Sequence, residues 1–493
     1  MRRVIYPCII AVLGFVSCNQ ANKADQLPEP KPNVLFISID DLNTWLGALG
    51  GFSNAKTPNI DKLAAQGVIF SNAHCQAPLC GPSRASIMTG LRPSTTGIYG
   101  MIGDDNIRLD NPVTEQVTFL PEFFGQQGYH TMGIGKLFHS HAPEGLFDES
   151  GGRVPRFGPY PKKRFVWEGF AEDRENYGRT NTDWGAFPES DMLMPDHQAS
   201  NWIIERLKKE YDKPFFMAVG YQRPHVPLYV PQKWFDMHPL EGIETPPYQA
   251  DDMQDVPEIG QLINYLPMMP TTDWAIESGE WPKIVQAYQA CVSFVDNEVG
   301  RVLDALEKSG HADNTVIVLW SDHGYRLGEK GTFAKHALWD PATKAPLLFA
   351  APGLPKGKVI DEPVEMLSIY PTLLELCGLP ANKENEGKSL VDLMQGNADD
   401  NSVAITTFGM NNHTVRSADY RYIRYENGGE EFYDYTTDPN EWVNQVANKE
   451  YAAEIDKLRR LLPSVNRPWA THSNYKFQKY FVDQKVKTSL SSQ

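Results

Sequence analysis

The chain has 493 residues and a mass of 55.5 kDa, enough for one large domain with a smaller one beside it and for a sizeable core. Its composition, 41% hydrophobic and 22% charged with a mean hydropathy of -0.42, excludes a multi-span membrane protein and a disordered chain. Against 46 Lys and Arg stand 62 Asp and Glu, a formal charge of -16 that excludes a general phosphate-binding surface and with it a nucleic-acid partner. An anionic ligand must be held by a few local cations.

At the N-terminus Arg2 and Arg3 precede an apolar stretch from Val4 to Val16, too short for a permanent membrane span, and residues 1–18 read as a signal peptide. Ser17 before Cys18 resembles the lipobox of bacterial lipoproteins, which implies a lipid anchor on Cys18 and export to the periplasm or outer membrane. A cleaved secretory signal with an incidental cysteine is the alternative. Residues 19–32 are polar and Pro-rich, a tether between anchor and folded body. Beyond the leader, Cys75, Cys80, Cys291 and Cys377 are too scattered for a disulfide framework.

Next comes the run Asn33 to Ile39, nearly all apolar as in a strand buried on both faces, ending in Asp40-Asp41. Thr57-Pro58 opens a helix that Gly67 closes. Similar apolar runs recur at Thr131 to Ile134, Phe215 to Val219 and Thr315 to Trp320. They are followed by Lys136 and His139, by His225, and by Asp322-His323. A long helical pattern from Ile284 to Leu306, ending near Gly310, separates the last two. The alternation predicts a doubly wound α/β fold with a mainly parallel sheet, residues 33–380, whose strand ends deliver these polar residues to one crevice. Past residue 400 the aromatic runs Tyr420 to Tyr425 and Phe432 to Tyr435 predict a small antiparallel sheet, in a C-terminal subdomain over residues 381–493.

The segment from Cys80 to Gly90 (CGPSRASIMTG) places Pro82 in a first helical turn, with Cys80 at the helix N-terminus and Arg84 one turn on along the same face. Free N–H groups and a guanidinium around the cysteine describe an anion pocket. A buried structural cysteine and a zinc cluster of His74, Cys75 and Cys80 are the other readings.

C-x-P-S-R followed by T-G resembles the signature of the formylglycine-dependent sulfatases. The resemblance extends to Asp40-Asp41, Gly135-Lys136-Leu137-Phe138-His139, Arg223-Pro224-His225, Ser321-Asp322-His323-Gly324 and Phe333-Ala334-Lys335, in chain order. The Asp322-His323 pair looks closest to the iduronate-2-sulfatase branch. The resemblance implies an alkaline-phosphatase-like fold and oxidation of Cys80 to formylglycine by a sulfatase-maturating enzyme. It also implies one Ca²⁺ held by Asp40, Asp41, Asp322, His323 and the residue 80 hydrate. By the same resemblance Arg84 and Lys136 hold that hydrate and Lys335 binds sulfate oxygen. His225 is the general acid, and His139 is the base that releases sulfate.

The insert 141–195 matches nothing with which it can be aligned. Its basic run Pro161-Lys162-Lys163-Arg164 either meets substrate or forms a solvated patch, and Trp320, Tyr325, Phe333 and Trp339 either stack on a sugar or belong to the core. The -16 charge repels a polysulfated polymer but tolerates one sulfate in a small cationic pocket. The expected substrate is therefore a sulfated oligosaccharide attacked from its end, with 2-O-sulfated uronic acid first and sulfated algal glycans next. A phosphodiesterase or phosphonate monoester hydrolase of the same superfamily and a non-catalytic glycan-binding lipoprotein are the competing functions.

Overall fold

The computed structural model describes residues 31–475, apart from 53–54, 110, 141, 154–157, 268 and 398–400, together with residue 483. The signal peptide, Cys18 and nearly all of the tether lie outside the described residues.

Eight strands form the main sheet: β1 (Asn33–Ile39), β2 (Val68–Phe70), β3 (His130–Gly135), β4 (Glu149–Gly152), β5 (Phe215–Tyr221), β6 (Thr315–Ser321), β7 (Leu347–Ala350) and β8 (Lys358–Ile360). Their spatial order is β8-β2-β7-β6-β1-β5-β3-β4. β7 runs antiparallel to both its neighbours, and the remaining pairings are parallel. β1 lies at the centre with all seven residues buried, as its continuous apolar run requires.

Its side chains divide by the period of two. Leu35, Ile37 and Ile39 enter the core shared with α1 (Pro58–Gln66), α4 (Pro195–Leu207) and α5 (Trp281–Lys308). Val34 and Phe36 enter the opposite core, with α2 (Cys80–Thr89), α3 (Leu120–Gln126) and α6 (Ile369–Leu376). Each fully buried side chain of this kind contributes about 1.5–3 kcal/mol. Leu390 to Met394 also pack into that second core. The start of α1 is capped from a distance: Thr57 makes no side-chain cap, and Asp296 of α5 accepts from Ile60 N–H at 2.8 Å instead.

The C-terminal region forms a four-stranded antiparallel sheet in chain order, β9 (Ala404–Thr407), β10 (His413–Arg416), β11 (Tyr420–Arg424) and β12 (Glu430–Asp434). Ile423, Tyr425 and Tyr433 pack against Leu338, Trp339 and Ala342 from the loop and short helix after β6, while Val415, Tyr422 and Phe432 cover α7 (Ala452–Arg459). Among the described residues no helix is long and apolar enough to cross a membrane.

Candidate active site

Register builds the site. Ile39 lies opposite Tyr221 on one side and Ser321 on the other, and Gly220 lies opposite Gly135, so β3, β5, β1 and β6 end level with one another. The next residues out are Lys136, Gln222, Asp40-Asp41 and Asp322-His323. Chains approach closely here: a Cβ on Gly220 would lie 2.2 Å from the Lys136 carbonyl, and Gly135 has φ 82°. Asp41 adopts φ 61°, in the left-handed region, and its backbone carbonyl accepts from Tyr288 Oη–H at 2.7 Å.

All three carboxylates are fully buried. Arg84 Nε donates to Asp322 Oδ2 at 2.8 Å, and its Nη2 lies 3.6 Å from Asp40 Oδ1. Lys136 Nζ pairs with Asp40 Oδ2, and Gln222 Nε2 donates to the same oxygen at 3.2 Å. Lys335 Nζ donates to Asp41 Oδ1 at 2.6 Å and lies 3.1 Å from Cys80 Sγ. Three cations thus face three carboxylates around the first residue of α2. Ser83, one turn into α2, ties the helix to the Asp322 carbonyl at 2.5 Å.

These neighbours set the protonation states. Burial opposes ionisation of Asp40, but Lys136 foremost, then His225 and Arg84, hold it well below the usual carboxylate range. Burial pushes Asp41 up to about 7, against Lys335 and reinforced by Asp40 and Asp322. Burial, with Asp40 adding, also pushes the Cys80 thiol up, so it stays protonated and is no thiolate nucleophile. Burial holds His323 at about 4. Its Nδ1–H donates to the Gly324 carbonyl at 2.9 Å, which leaves a lone pair on Nε2, 3.2 Å from Cys80 Sγ and 3.5 Å from Asp41 Oδ1. His225 likewise donates from Nδ1 to the Val226 carbonyl at 2.6 Å, and its Nε2 lies 3.9 Å from Asp41 Oδ2.

The donors fit a divalent cation. Potential ligand atoms of Asp40, Cys80, Asp322 and His323 lie within 4.8 Å of one another, as do those of Asp40, Asp41, Cys80 and His225. Asp40 Oδ1 and Asp41 Oδ2 are buried without a hydrogen-bond partner among the described residues, the state expected of oxygens reserved for a cation. An oxygen-rich set suits a hard ion such as Ca²⁺ better than zinc. The zinc alternative fails on geometry, because His74 is engaged by Thr343 Oγ1 at 3.1 Å and Asn72 Oδ1 at 2.8 Å, outside either group. The four cysteines of the body are free and buried.

Above the nest opens a cleft of about 350 Å³, lined by Asp41, His225 and Lys335 and by His139 from the loop after β3. Asp104 shapes that loop, accepting from the His139 and Ser140 backbone N–H groups at 3.1 and 2.5 Å. Asp196 does the same for the His225 turn through Gln222 and Arg223 N–H at 2.7 and 3.0 Å. Sequence reading missed both residues, since an acidic side chain that binds a distant loop leaves no local pattern. It also missed Thr180, Asn181, Thr182, His336 and Tyr475 in the cleft wall. In the insert, the Arg164 guanidinium is spent on backbone: it donates to the carbonyls of Trp167 and Thr180 at 2.7 and 2.9 Å and holds that wall, while Lys162 and Lys163 are exposed. Of the four aromatic candidates only Tyr325 lines the cleft, stacked on Tyr288 at 5.6 Å; Trp320, Phe333 and Trp339 are buried at 1% exposure or less.

Fold and site define a doubly wound α/β protein whose crevice sets three buried carboxylates against three cations. The family model of the sulfatases matches residues 32–379, and a model described as N-sulphoglucosamine sulphohydrolase, C-terminal, matches residues 328–468. A protein of Formosa agariphila described as a sulfatase is 64% identical over 484 residues, 97% of this chain and 96% of its own. Iduronate 2-sulfatase of Homo sapiens is 33% identical over 401 residues, 70% of this chain and 69% of its own. The crystal structure of a phosphonate monoester hydrolase from Agrobacterium radiobacter superposes with a TM-score of 0.68 at 21% identity, over 88% of this chain and 95% of that one. That likeness speaks to the fold alone. The chain belongs to the sulfatase family of the alkaline phosphatase superfamily.

Proposed function

We propose that the protein hydrolyses sulfate esters of carbohydrates, acting from the ends of oligosaccharides, with 2-O-sulfated uronic acid as the first candidate and sulfated algal glycans next. The observation that carries this reading is the nest of three cations and three carboxylates closed around the N-terminus of α2. Ca²⁺ on Asp40, Asp41, Asp322 and His323, when bound, supplies Lewis-acid polarisation of a sulfate oxygen. Residue 80, once oxidised to formylglycine and hydrated by water to the aldehyde hydrate, would supply the nucleophilic hydroxyl that the protonated thiol cannot. With Cys80 only 1% exposed, a sulfatase-maturating enzyme meets it before the fold closes.

Arg84 and Lys136 orient and polarise the hydroxyl at residue 80, and Lys335 binds sulfate oxygen and offsets charge as the S–O bond breaks. His225 rests with an unprotonated Nε2 directed at the nest. The negative charge of a bound ester favours protonation there, after which His225 gives that proton to the departing sugar oxygen. His139, on the same cleft, takes the proton from residue 80 in the release of sulfate.

The size of the cleft, at the lower end of ligand sites of ~300–1,000 Å³, suits one or two sugar rings and supports action from chain ends. Human iduronate 2-sulfatase, by its name, acts on a 2-sulfate of a uronic acid, and this supports the first candidate. Peptide mass spectrometry around residue 80, with a screen of the matured protein against defined sulfated disaccharides and a matched aryl sulfate and phosphate, tests the reading. An unaltered thiol in active protein, or preference for the phosphate, refutes it. Export and lipid anchorage through Cys18 complete the proposal. A Cys18→Ser protein that stays membrane-bound refutes the anchor.

A further inference from the structure

One wall of the cleft takes no part in the chemistry above. His336 follows Lys335 directly and lines the cleft at 9% exposure, on backbone with φ 38°, in the left-handed region that residues other than glycine seldom occupy. Its backbone N–H donates to the Pro78 carbonyl at 3.2 Å, two residues before Cys80, so its place is tied to that of the nucleophile. Its ring packs against Phe408 and Tyr475, at 6.1 and 5.8 Å between centroids.

Nδ1 of His336 is buried with no hydrogen-bond partner among the described residues. A buried N–H without an acceptor is rarer and costlier than a buried lone pair, so the ring proton belongs on Nε2, the nitrogen left to meet a ligand. Burial foremost, then Lys335, His323 and Arg326, hold the ring in its neutral form. A strained, buried imidazole beside a sulfate-binding lysine is difficult to explain as packing alone, because a phenyl ring would fill the same space without an unpaired nitrogen.

We propose that His336 binds the sugar itself, donating from Nε2 to a sugar oxygen close to the ester and so selecting which sulfated ring is accepted. The inference rests on the sulfate-ester reading above. Lys335 fixes the sulfate, and consecutive Cα atoms lie about 3.8 Å apart, so the oxygen read by His336 belongs to the sulfated ring or its immediate neighbour. A neutral donor suits a hydroxyl or ring oxygen as well as a carboxylate; it selects by position rather than by charge.

The test compares kinetics on a sulfated disaccharide with kinetics on 4-nitrophenyl sulfate, which has no sugar oxygens. His336→Phe should lower the ratio of the two kcat/KM values about 3- to 10-fold, the loss falling on the disaccharide KM. His336→Asn, which tolerates left-handed backbone and keeps an N–H donor, should recover part of it. Equal losses on both substrates, or an unchanged ratio, overturn the role of His336. If the Phe variant does not fold, ¹⁵N-histidine NMR of the wild type decides: desulfated disaccharide should shift the Nε2 resonance that is missing from the Asn variant, and no shift overturns the role. A matured wild type that hydrolyses neither ester overturns the proposed function and this inference together.

Discussion

Replacing Arg421 by methionine should cost the protein about 3–5 kcal/mol near neutral pH, the range for breaking a buried ion pair by removing one partner. Arg421 lies on β11 with no exposed surface, and its guanidinium donates to the Leu338 carbonyl at 2.8 Å and pairs with Asp340 and Glu441, each at 2.7 Å. Methionine fills the stem but leaves those two carboxylates without their shared cation. Asp340 keeps Lys344 at 2.6 Å, which holds the loss toward the lower figure. Even so, it is a large part of a total stability of about 5–15 kcal/mol.

Leu338 and Asp340 lie shortly after Lys335 on the same loop, so catalysis should fall as well. A misplacement of about 1 Å can lower a rate roughly 10²-fold. The pH dependence has a definite sign. Burial opposes ionisation of Asp340, but Lys344 first, then Arg421 and Arg416, hold its carboxyl well below the ordinary range. Its stabilisation is therefore present above the unfolded value of about 3.9 and is lost as pH falls through the folded one, so the deficit of the variant shrinks in acid. Urea denaturation of Arg421→Met, Asp340→Asn and the double variant measures both effects. A loss below about 1 kcal/mol for Arg421→Met, or strict additivity in the double variant, refutes the reasoning.

Chelation should lower both activity and midpoint temperature, with Ca²⁺ restoring them. A cation at one hundred times its Kd adds about 2.7 kcal/mol, read by calorimetry with and without chelator. His225→Ala should lose about 10²- to 10⁴-fold in kcat on a sugar sulfate but much less on 4-nitrophenyl sulfate, whose leaving group needs no proton. Equal losses on both would remove His225 from the acid role. His238 and His413 are each held at about 4, chiefly by burial, while accepting or donating at 2.9 Å to Ser293 and Thr407. The unfolded chain binds protons at these sites from about pH 6.5 downward while the folded one does not, so each should cost about 1–2 kcal/mol at pH 5 relative to neutrality. A glutamine at His238 that leaves the acid slope of unfolding stability unchanged would contradict this.

The sequence by itself determined the nest. The run Asn33 to Ile39, its counterparts at Thr131, Phe215 and Thr315, and the helix signal at Pro82 are local patterns, and local patterns suffice to place Asp40, Asp41, Lys136, Asp322 and Arg84 at strand ends or a helix start. In a parallel sheet those ends gather along one edge, so the crevice forms there whichever residues pair across the strands. What surrounds the nest only the tertiary structure decided. Asp104 reaches His139 across 35 residues, Arg421 holds Leu338 across 83, and Trp320, which the sequence leaves open between sugar platform and core, is core because Phe36 packs edge-on against it at 5.5 Å and Arg84 of α2 lies over its ring. Whether a side chain faces a cleft depends on which distant segment packs beside it, and hydrophobic periodicity carries no information about that choice.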